Sequence, residues 1–266
     1  MKKSYTRRFS KERKEFIVHE LFKDLYYSVL DRLWQKDTHF RKDLGQLKRK
    51  VYLMDASIIP LCLSVFDWAK FRSTKGAVKL HTVLDYDGCL PVFMQITDGK
   101  VHESQRAGSY SFSKGSVVVV DRGYVDYSWL GDFLVHFWDS TTGNEYHFLT
   151  NNTKWKASLV ANIYKERWHI EVFFKHLKQR LKVSTFIGTS ENAVMIQIWT
   201  SLIGILLLKY LQKKAKYDWN LSNLVAFIRM NIFVKINIWQ GVNIEMMKKA
   251  MLVPQKSNPK IYLGHI

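Results

Sequence analysis

Four consecutive valines, Val117–Val120, run into Asp121 and are bracketed by Gly115 and Gly123. A β-branched run with no polar residue interleaved is what a strand covered on both faces requires, so it limits the chain to folds with a layered sheet. Three β-rich runs precede it, VYLMDASII, GAVKLHTVLDYDG and CLPVFMQITDG, each punctuated by Gly, Pro or Asp. They predict three further strands of the same sheet. The segment SQRAGSYSF is long enough for a short crossover helix, which makes the valine strand central and parallel.

Downstream, VDYSWLGDFLVHF predicts a helix, EYHFLTNN a fifth strand, and residues 157–183 one long helix. Apolar helices are expected at about 192–212 and 219–233, followed by a tail containing Pro254 and Pro259. The whole is an α/β architecture with a mixed sheet flanked by helices. Ahead of it, the first fifty residues hold 15 Lys or Arg against 7 Asp or Glu. Their apolar positions Phe16, Ile17, Leu21, Leu25, Tyr26, Val29, Leu30 and Leu33 follow helical spacing, so a basic amphipathic helix leads into the sheet.

Net charge is +18, with 41 Lys and Arg against 23 Asp and Glu, and such an excess points to a polyanion. At 47% hydrophobic and 14% aromatic residues the chain can bury a core, which excludes a disordered polybasic tail. The charged start reaches no apolar stretch of the secretory kind, and the apolar run from Val194 to Leu208 is broken by Gln197, Thr200 and Ser201. It is shorter than the roughly 20 residues of a spanning helix, so no membrane partner and a cytoplasmic location are expected. Cys62 and Cys89 form no C-x-x-C pair and read as small core fillers.

Two acids stand where apolar strands emerge: Asp55 after Val51–Met54, and Asp121 after the valines. Strand ends are where α/β folds place chemistry, although an Asp there also starts ordinary turns. The third acid is on the long helix. At 100° per residue with Tyr164 at zero, Arg167 lies near roughly −60°, Glu171 near −20°, Lys178 near −40°, Lys175 near +20° and Lys182 near 0°. Ile163, Ile170, Phe174, Leu177 and Leu181 form the adjoining apolar face, so Glu171 stands at the margin of the core. Three carboxylates gathered there repel one another and call for divalent cations, and hard oxygen donors suit Mg²⁺ or Mn²⁺. Paired ions of this kind serve in-line displacement at phosphorus, with Arg167, Lys178 and Tyr164 placed to hold flanking phosphates. The alternative is a solvated helix face of ordinary ion pairs.

The helix spacing Y-x2-R-x3-E-x6-K, carried by Tyr164, Arg167, Glu171 and Lys178, resembles the YREK signature of insertion-sequence-4 family DDE transposases. The strings LMDASIIPLCLS, FRSTKGAVKLHTVLDYDG, ITDGKVHES, VVDRGYVDYSWL and FFKHLKQRLKVSTFIGTSENAVMIQIW are similar to family segments in family order. The resemblance implies a ribonuclease-H-like fold. It also implies a triad of Asp55, Asp121 and Glu171 binding Mg²⁺, with Mn²⁺ as substitute, and cut-and-paste strand transfer at insertion-sequence ends. Tyr164, Arg167 and Lys178 would contact double-stranded DNA, with Arg122, Lys175 and Lys182 beside them, and a homodimer would work on paired ends. The implied domains are a basic helical segment 1–50, a catalytic core 51–212 with a shortened insertion around 131–150, and C-terminal helices and tail 213–266.

Two departures bear on activity: few residues precede the first strand where the family carries an end-reading helical domain, and only fifty positions separate Asp121 from Glu171. Alternatives to full transposition are therefore a truncated DNA-binding remnant and a nonspecific metal-dependent nuclease. Trp129, Trp138 and Trp155 are candidates for stacking on a displaced base. His81 is expected as a hydrogen-bonded core residue and His169 as pointing away from the stripe. Gly76, Gly88, Gly99 and Gly123 are expected in turns, and Lys2, Lys3, Arg7, Arg8, Arg13 and Lys14 in a nonspecific basic arm.

Overall fold

The computed structural model describes residues 18–34, 49–72, 75–101, 110–124, 133–180, 186–233 and 237–243. The basic arm, residues 104–109 of the expected crossover, residues 125–132 of the helix expected after Asp121 (with Trp129), Lys182 and the prolines of the tail lie outside the described residues. The chain divides into two compact units, residues 1–206 and 207–266.

In the first unit, α1 (His19–Trp34) precedes a mixed sheet of β1 (Val51–Leu61), β2 (Lys70–Arg72), β3 (Lys75–Asp85), β4 (Leu90–Asp98) and β5 (Val117–Val120). The pairing order is β2-β3-β1-β5, with β4 also on β3. Strands β1, β3 and β4 are antiparallel, and β5 runs parallel to β1 through Val51↔Val117 to Met54↔Val120. The valine strand is thus parallel as expected, but among the described residues it is an edge strand rather than a central one. Only Val119 of the four is buried. Pro91 falls in β4, which among the described residues pairs with β3 alone, an edge position where a sheet tolerates proline.

Alternation along β1 divides the core. Leu53 faces the helices, in a cluster with Leu80, Leu84, Tyr26 of α1, and Ile170, Phe174, Ile198 and Leu202. Met54 faces the other way, onto Val83 and Tyr124, with Tyr52, Phe93, Tyr110 and Phe112 around them. On α1, Tyr26 and Leu30 are buried while Leu21 and Leu25 stay exposed, because only one narrow face of this helix meets the sheet.

Residues 133–137, expected as the end of a helix, instead fall in β6 (Phe133–Asp139), paired antiparallel with β7 (Asn144–Thr150). Asp139 accepts from the Thr141 N–H at 2.9 Å, and Gly143 takes a φ of 72°, which closes a tight hairpin that competes with any helix. The fifth strand therefore belongs to a separate two-stranded sheet. The long helix is also not uniform: α2 (Ala157–Lys165), α3 (Trp168–Lys175) and a π-helical turn (His176–Arg180) follow one another. Gly76 lies inside β3 and not in a turn. A Cβ there would sit 3.0 Å from the Ala69 carbonyl and 3.1 Å from that of Leu61, so a close backbone approach explains the glycine.

Helix α4 (Glu191–Lys214) is longer than the apolar run suggests, and by length and composition it is the one described helix able to cross a membrane. Its Val194, Ile198, Trp199, Leu202 and Ile205 side chains are buried in the core instead. The second unit contains α5 (Leu221–Asn231), capped by the Asn220 side chain on the Ser222 N–H, and α6 (Ile238–Asn243). Trp219, Leu224, Phe227 and Val242 form its core, with the Trp219 indole donating to the Val242 carbonyl at 2.9 Å.

Candidate active site

Strand β5 stops at Val120, opposite Met54, while β1 continues for seven more residues. That mismatch opens a notch in the sheet, with Asp55 as the first unpaired residue on one wall and Asp121 at the end of the other. Asp55 is therefore not at the end of its strand, as the apolar run before it suggests. It lies within β1, paired across to Thr82 of β3, because Ala56–Leu61 continue as strand on that side. What ends at Asp55 is the parallel pairing.

Helix α3 crosses the notch, anchored by Ile170, Phe173 and Phe174 in the core, and carries Glu171 one residue from that anchor. The three acids meet at one guanidinium. Arg167 Nη2 donates to Glu171 Oε1 at 2.6 Å, Nη1 donates to Asp55 Oδ2 at 3.4 Å, and Nη1 lies 3.8 Å from Asp121 Oδ1. Asp55 is the most enclosed of the acids, its side chain 13% exposed against 39% for Asp121 and 36% for Glu171. Burial of the guanidinium works against its charge, but the fields of Asp121, Tyr164, Glu171 and Asp55 outweigh it, so the Arg167 pKa is raised. The guanidinium also lies over the Tyr164 ring, 5.7 Å from its centre, and that ring packs on Phe148 of β7 at 5.1 Å.

Lys178, in the π-helical turn, is half-buried. Burial pulls its ammonium below the ordinary lysine value, and Asp55 partly offsets the shift. Lys175 stands exposed on α3. Arg122 opens a 3-10 turn (Arg122–Tyr124) directly after Asp121, and its side chain lies outside what is described. Of the nine side chains singled out from the sequence, five converge: Asp55, Asp121, Glu171, Arg167 and Tyr164.

Sequence reasoning missed the second contact of this helix with the sheet. Glu166 accepts the Tyr86 hydroxyl at 2.7 Å and pairs with His169 Nε2 at 3.0 Å, while the Tyr86 and His169 rings meet edge-on at 5.6 Å. Burial, then the bond to Glu166, raises the Tyr86 pKa. The sequence signal for this contact was the Glu-x-x-His spacing, i to i+3 on one helix face. His81 is buried with Nε2 3.0 Å from Thr97 Oγ1, as expected for a core histidine. Cys62 is exposed beside Ser64 and fills no core, whereas Cys89, at a left-handed turn position (φ 49°), is partly buried and packs against the main core. Trp138 is exposed on the hairpin, and Trp155 lies under the Arg49 guanidinium.

An all-oxygen donor set of three carboxylates fits Mg²⁺ or Mn²⁺ rather than zinc. The three acids are spread around a cation that already sits between them, so an ion entering among them competes with Arg167. The family model described as a transposase DDE domain matches residues 46–207, which takes in every residue of this cluster. A Sinorhizobium fredii protein whose name assigns it provisionally as a transposase is 26% identical over 62% of this chain and 64% of its own length. A protein described as the transposase of an insertion sequence element of Geobacillus stearothermophilus is 23% identical over 83% of this chain and 71% of its own length. A third such transposase, from Synechocystis, is 50% identical over 52 residues. The chain thus spans about two thirds of the length of the first two of these relatives, for the Sinorhizobium protein somewhat less, and 15% of the third.

Proposed function

The chain belongs to the transposase DDE domain family, and from that membership we propose that it cleaves and joins DNA strands at the ends of an insertion sequence by metal-dependent phosphoryl transfer. The observation that carries the reading is the convergence of Asp55, Asp121 and Glu171, from β1, the end of β5 and α3, on the single guanidinium of Arg167. In this reading the three carboxylates hold Mg²⁺, or Mn²⁺ in its place, which when bound supplies charge stabilisation to the oxygens on phosphorus.

The remaining roles belong to the chain itself. Arg167, released from the acids, turns its planar fork to a DNA phosphate, where bidentate donation is strongest. The Tyr164 ring beneath it limits how far the guanidinium swings. Lys178 presents a point charge from the next turn of the helix, and Lys175 extends the same stripe towards solvent. With Arg122 and Lys182, these cations account for part of the +18 charge as a phosphate-binding footprint. Joining requires two ends at one place, so the proposed working form is a pair of chains on double-stranded DNA. The domain reading is a basic helical segment, a catalytic core with a short β6–β7 insertion, and C-terminal helices.

The test is a supercoiled plasmid carrying the element's ends, incubated with the protein and Mg²⁺, Mn²⁺ or EDTA, beside Glu171→Gln. Metal-dependent cutting and joining at the ends, lost in Glu171→Gln, is the expected result. Cutting without end preference would reduce the reading to a nuclease. Retained DNA binding with no cutting in any metal would reduce it to a remnant.

A further inference from the structure

We propose that the exposed face of the β6–β7 hairpin binds one divalent transition-metal ion of the zinc class, through His136, Glu145 and His147. Their ligand atoms all lie within 4.8 Å of one another, and no other group of His, Cys, Asp or Glu among the described residues is gathered so closely. The hairpin register produces the cluster. His136 lies directly across from His147, and Trp138 across from Glu145, so all three ligands share one face of the two-stranded sheet. The alternate face, with Val135, Phe137, Tyr146 and Phe148, is half-buried, while the ligand face is open to solvent.

The spacing suits a small ion. Bonds of about 2.0–2.1 Å at tetrahedral angles separate neighbouring ligand atoms by about 3.3 Å. His136 Nδ1 and Glu145 Oε1 are 3.3 Å apart. The two imidazoles meet edge to face, ring centres 4.4 Å apart at 85°, so a modest ring rotation brings the second nitrogen into the same shell. Three protein ligands leave a fourth position for water. Two imidazoles and one carboxylate favour Zn²⁺, Cu²⁺ or Ni²⁺ over Mg²⁺, so this site and the oxygen cluster around Arg167 select different ions.

An ion here would join β6 to β7 across the sheet. A two-stranded hairpin is marginal by itself, and this one carries on its other face the Phe148 ring that packs on Tyr164. The metal therefore stiffens the surface that supports Tyr164 and, through it, the seat of Arg167. The ligand set does not depend on the function proposed above, and either can fail without the other.

The test titrates untagged, EDTA-stripped full-length protein with Zn²⁺ by calorimetry in excess Mg²⁺, beside His136→Gln, His147→Gln and Glu145→Gln, with circular dichroism to check folding. One Zn²⁺ should bind the native protein, and binding should weaken at least tenfold in each histidine variant. The ring signals of His136 and His147 should move together in the NMR spectrum of the native protein, and Zn²⁺ should slow proteolysis at the hairpin turn. Unchanged Zn²⁺ affinity in folded His136→Gln and His147→Gln would overturn the proposal. So would Zn²⁺ shifting other histidine rings and not these two, a result that needs no variant to fold. Mg²⁺-dependent plasmid cutting, measured without Zn²⁺, separates this outcome from the fate of the transposase reading.

Discussion

Replacing Arg167 with alanine should make the first unit less stable and the proposed metal site more open, two effects of opposite sign from one change. The guanidinium makes one short charged hydrogen bond, to Glu171 at 2.6 Å, and two looser contacts, at 3.4 Å to Asp55 and 3.8 Å to Asp121. A charged hydrogen bond contributes about 1.5–3 kcal/mol, and the partial exposure of Glu171 places this one near the lower end. The contact with the enclosed Asp55 adds about 1 kcal/mol, and the exposed Asp121 adds a few tenths. The loss in EDTA is then about 2–3 kcal/mol, which in a unit of this size lowers Tm by roughly 4–12 °C.

Metal reverses the comparison. In the native chain an ion must displace the guanidinium, whereas in Arg167→Ala the carboxylates await it with their mutual repulsion unrelieved. The variant should bind Mg²⁺ about thirtyfold or more tightly, since each 1.4 kcal/mol is a factor of ten, and Mg²⁺ should narrow or close the Tm gap. Thermal melts of both proteins in EDTA and across a Mg²⁺ series read both quantities. An Arg167→Ala protein that melts with the native protein in EDTA, or that gains no more from Mg²⁺ than the native protein does, would refute the view of Arg167 as a counter-ion that metal displaces.

Other outcomes follow from the same geometry. Asp55→Asn and Asp121→Asn should abolish plasmid cutting while fluorescence anisotropy shows DNA affinity nearly unchanged. Lys178→Ala should lower the slope of log affinity against log salt by about 0.9, one phosphate contact. The depressed Lys178 pKa also fixes a sign: keeping the buried ammonium charged costs stability below its folded pKa, and the cost fades as pH rises from there towards the unfolded value near about 10.4. Lys178→Met should accordingly stabilise the protein at neutral pH and lose that advantage in urea melts at alkaline pH. Tyr86→Phe removes the 2.7 Å bond to Glu166 and should cost about 1–2 kcal/mol in urea unfolding, with faster amide exchange at the junction of α2 and α3.

Much of this could be read from the sequence because it is local. Arg167 and Glu171 are four residues apart on a helix, so a wheel places them together without knowing what the helix packs on. The strands announced themselves through β-branched runs between turn residues. The pairing of Arg167 with Asp55 was not legible, since 112 residues separate them and the notch that joins them depends on where β5 stops; the sequence suggested only that Arg167 faces phosphates. Residues 133–137 misled for a physical reason: Phe133, Leu134 and Phe137 satisfy a helical spacing as readily as a strand's. The deciding signal lay beyond the segment, in Asp139 and Gly143, whose turn turns two exposed histidines eleven positions apart into neighbours. Cys62 was misplaced because its size suits a core, while the neighbouring Ser64 suits it to the surface.

What no periodic wheel can supply is the break within the helix. At Glu166 and Arg167 the backbone N–H groups bond three residues back, to Ile163 at 3.2 Å and Tyr164 at 3.0 Å, and His169 and Ile170 do the same. This tightens the helix locally to about three residues per turn, while the π turn at His176–Arg180 loosens it again. The consequence is chemical. Two consecutive residues both reach the sheet, Glu166 to Tyr86 beyond β3 and Arg167 to Asp55 in β1, and the two anchors fix the helix in both rotation and height. Glu171, one turn on, is then placed over the notch by two contacts on its N-terminal side and by Ile170, Phe173 and Phe174 beneath it. An irregular segment of this kind weakens the helix as a helix and is kept where position matters more than regularity. On that argument Glu166 is a positioning residue for the carboxylate five positions further along the chain.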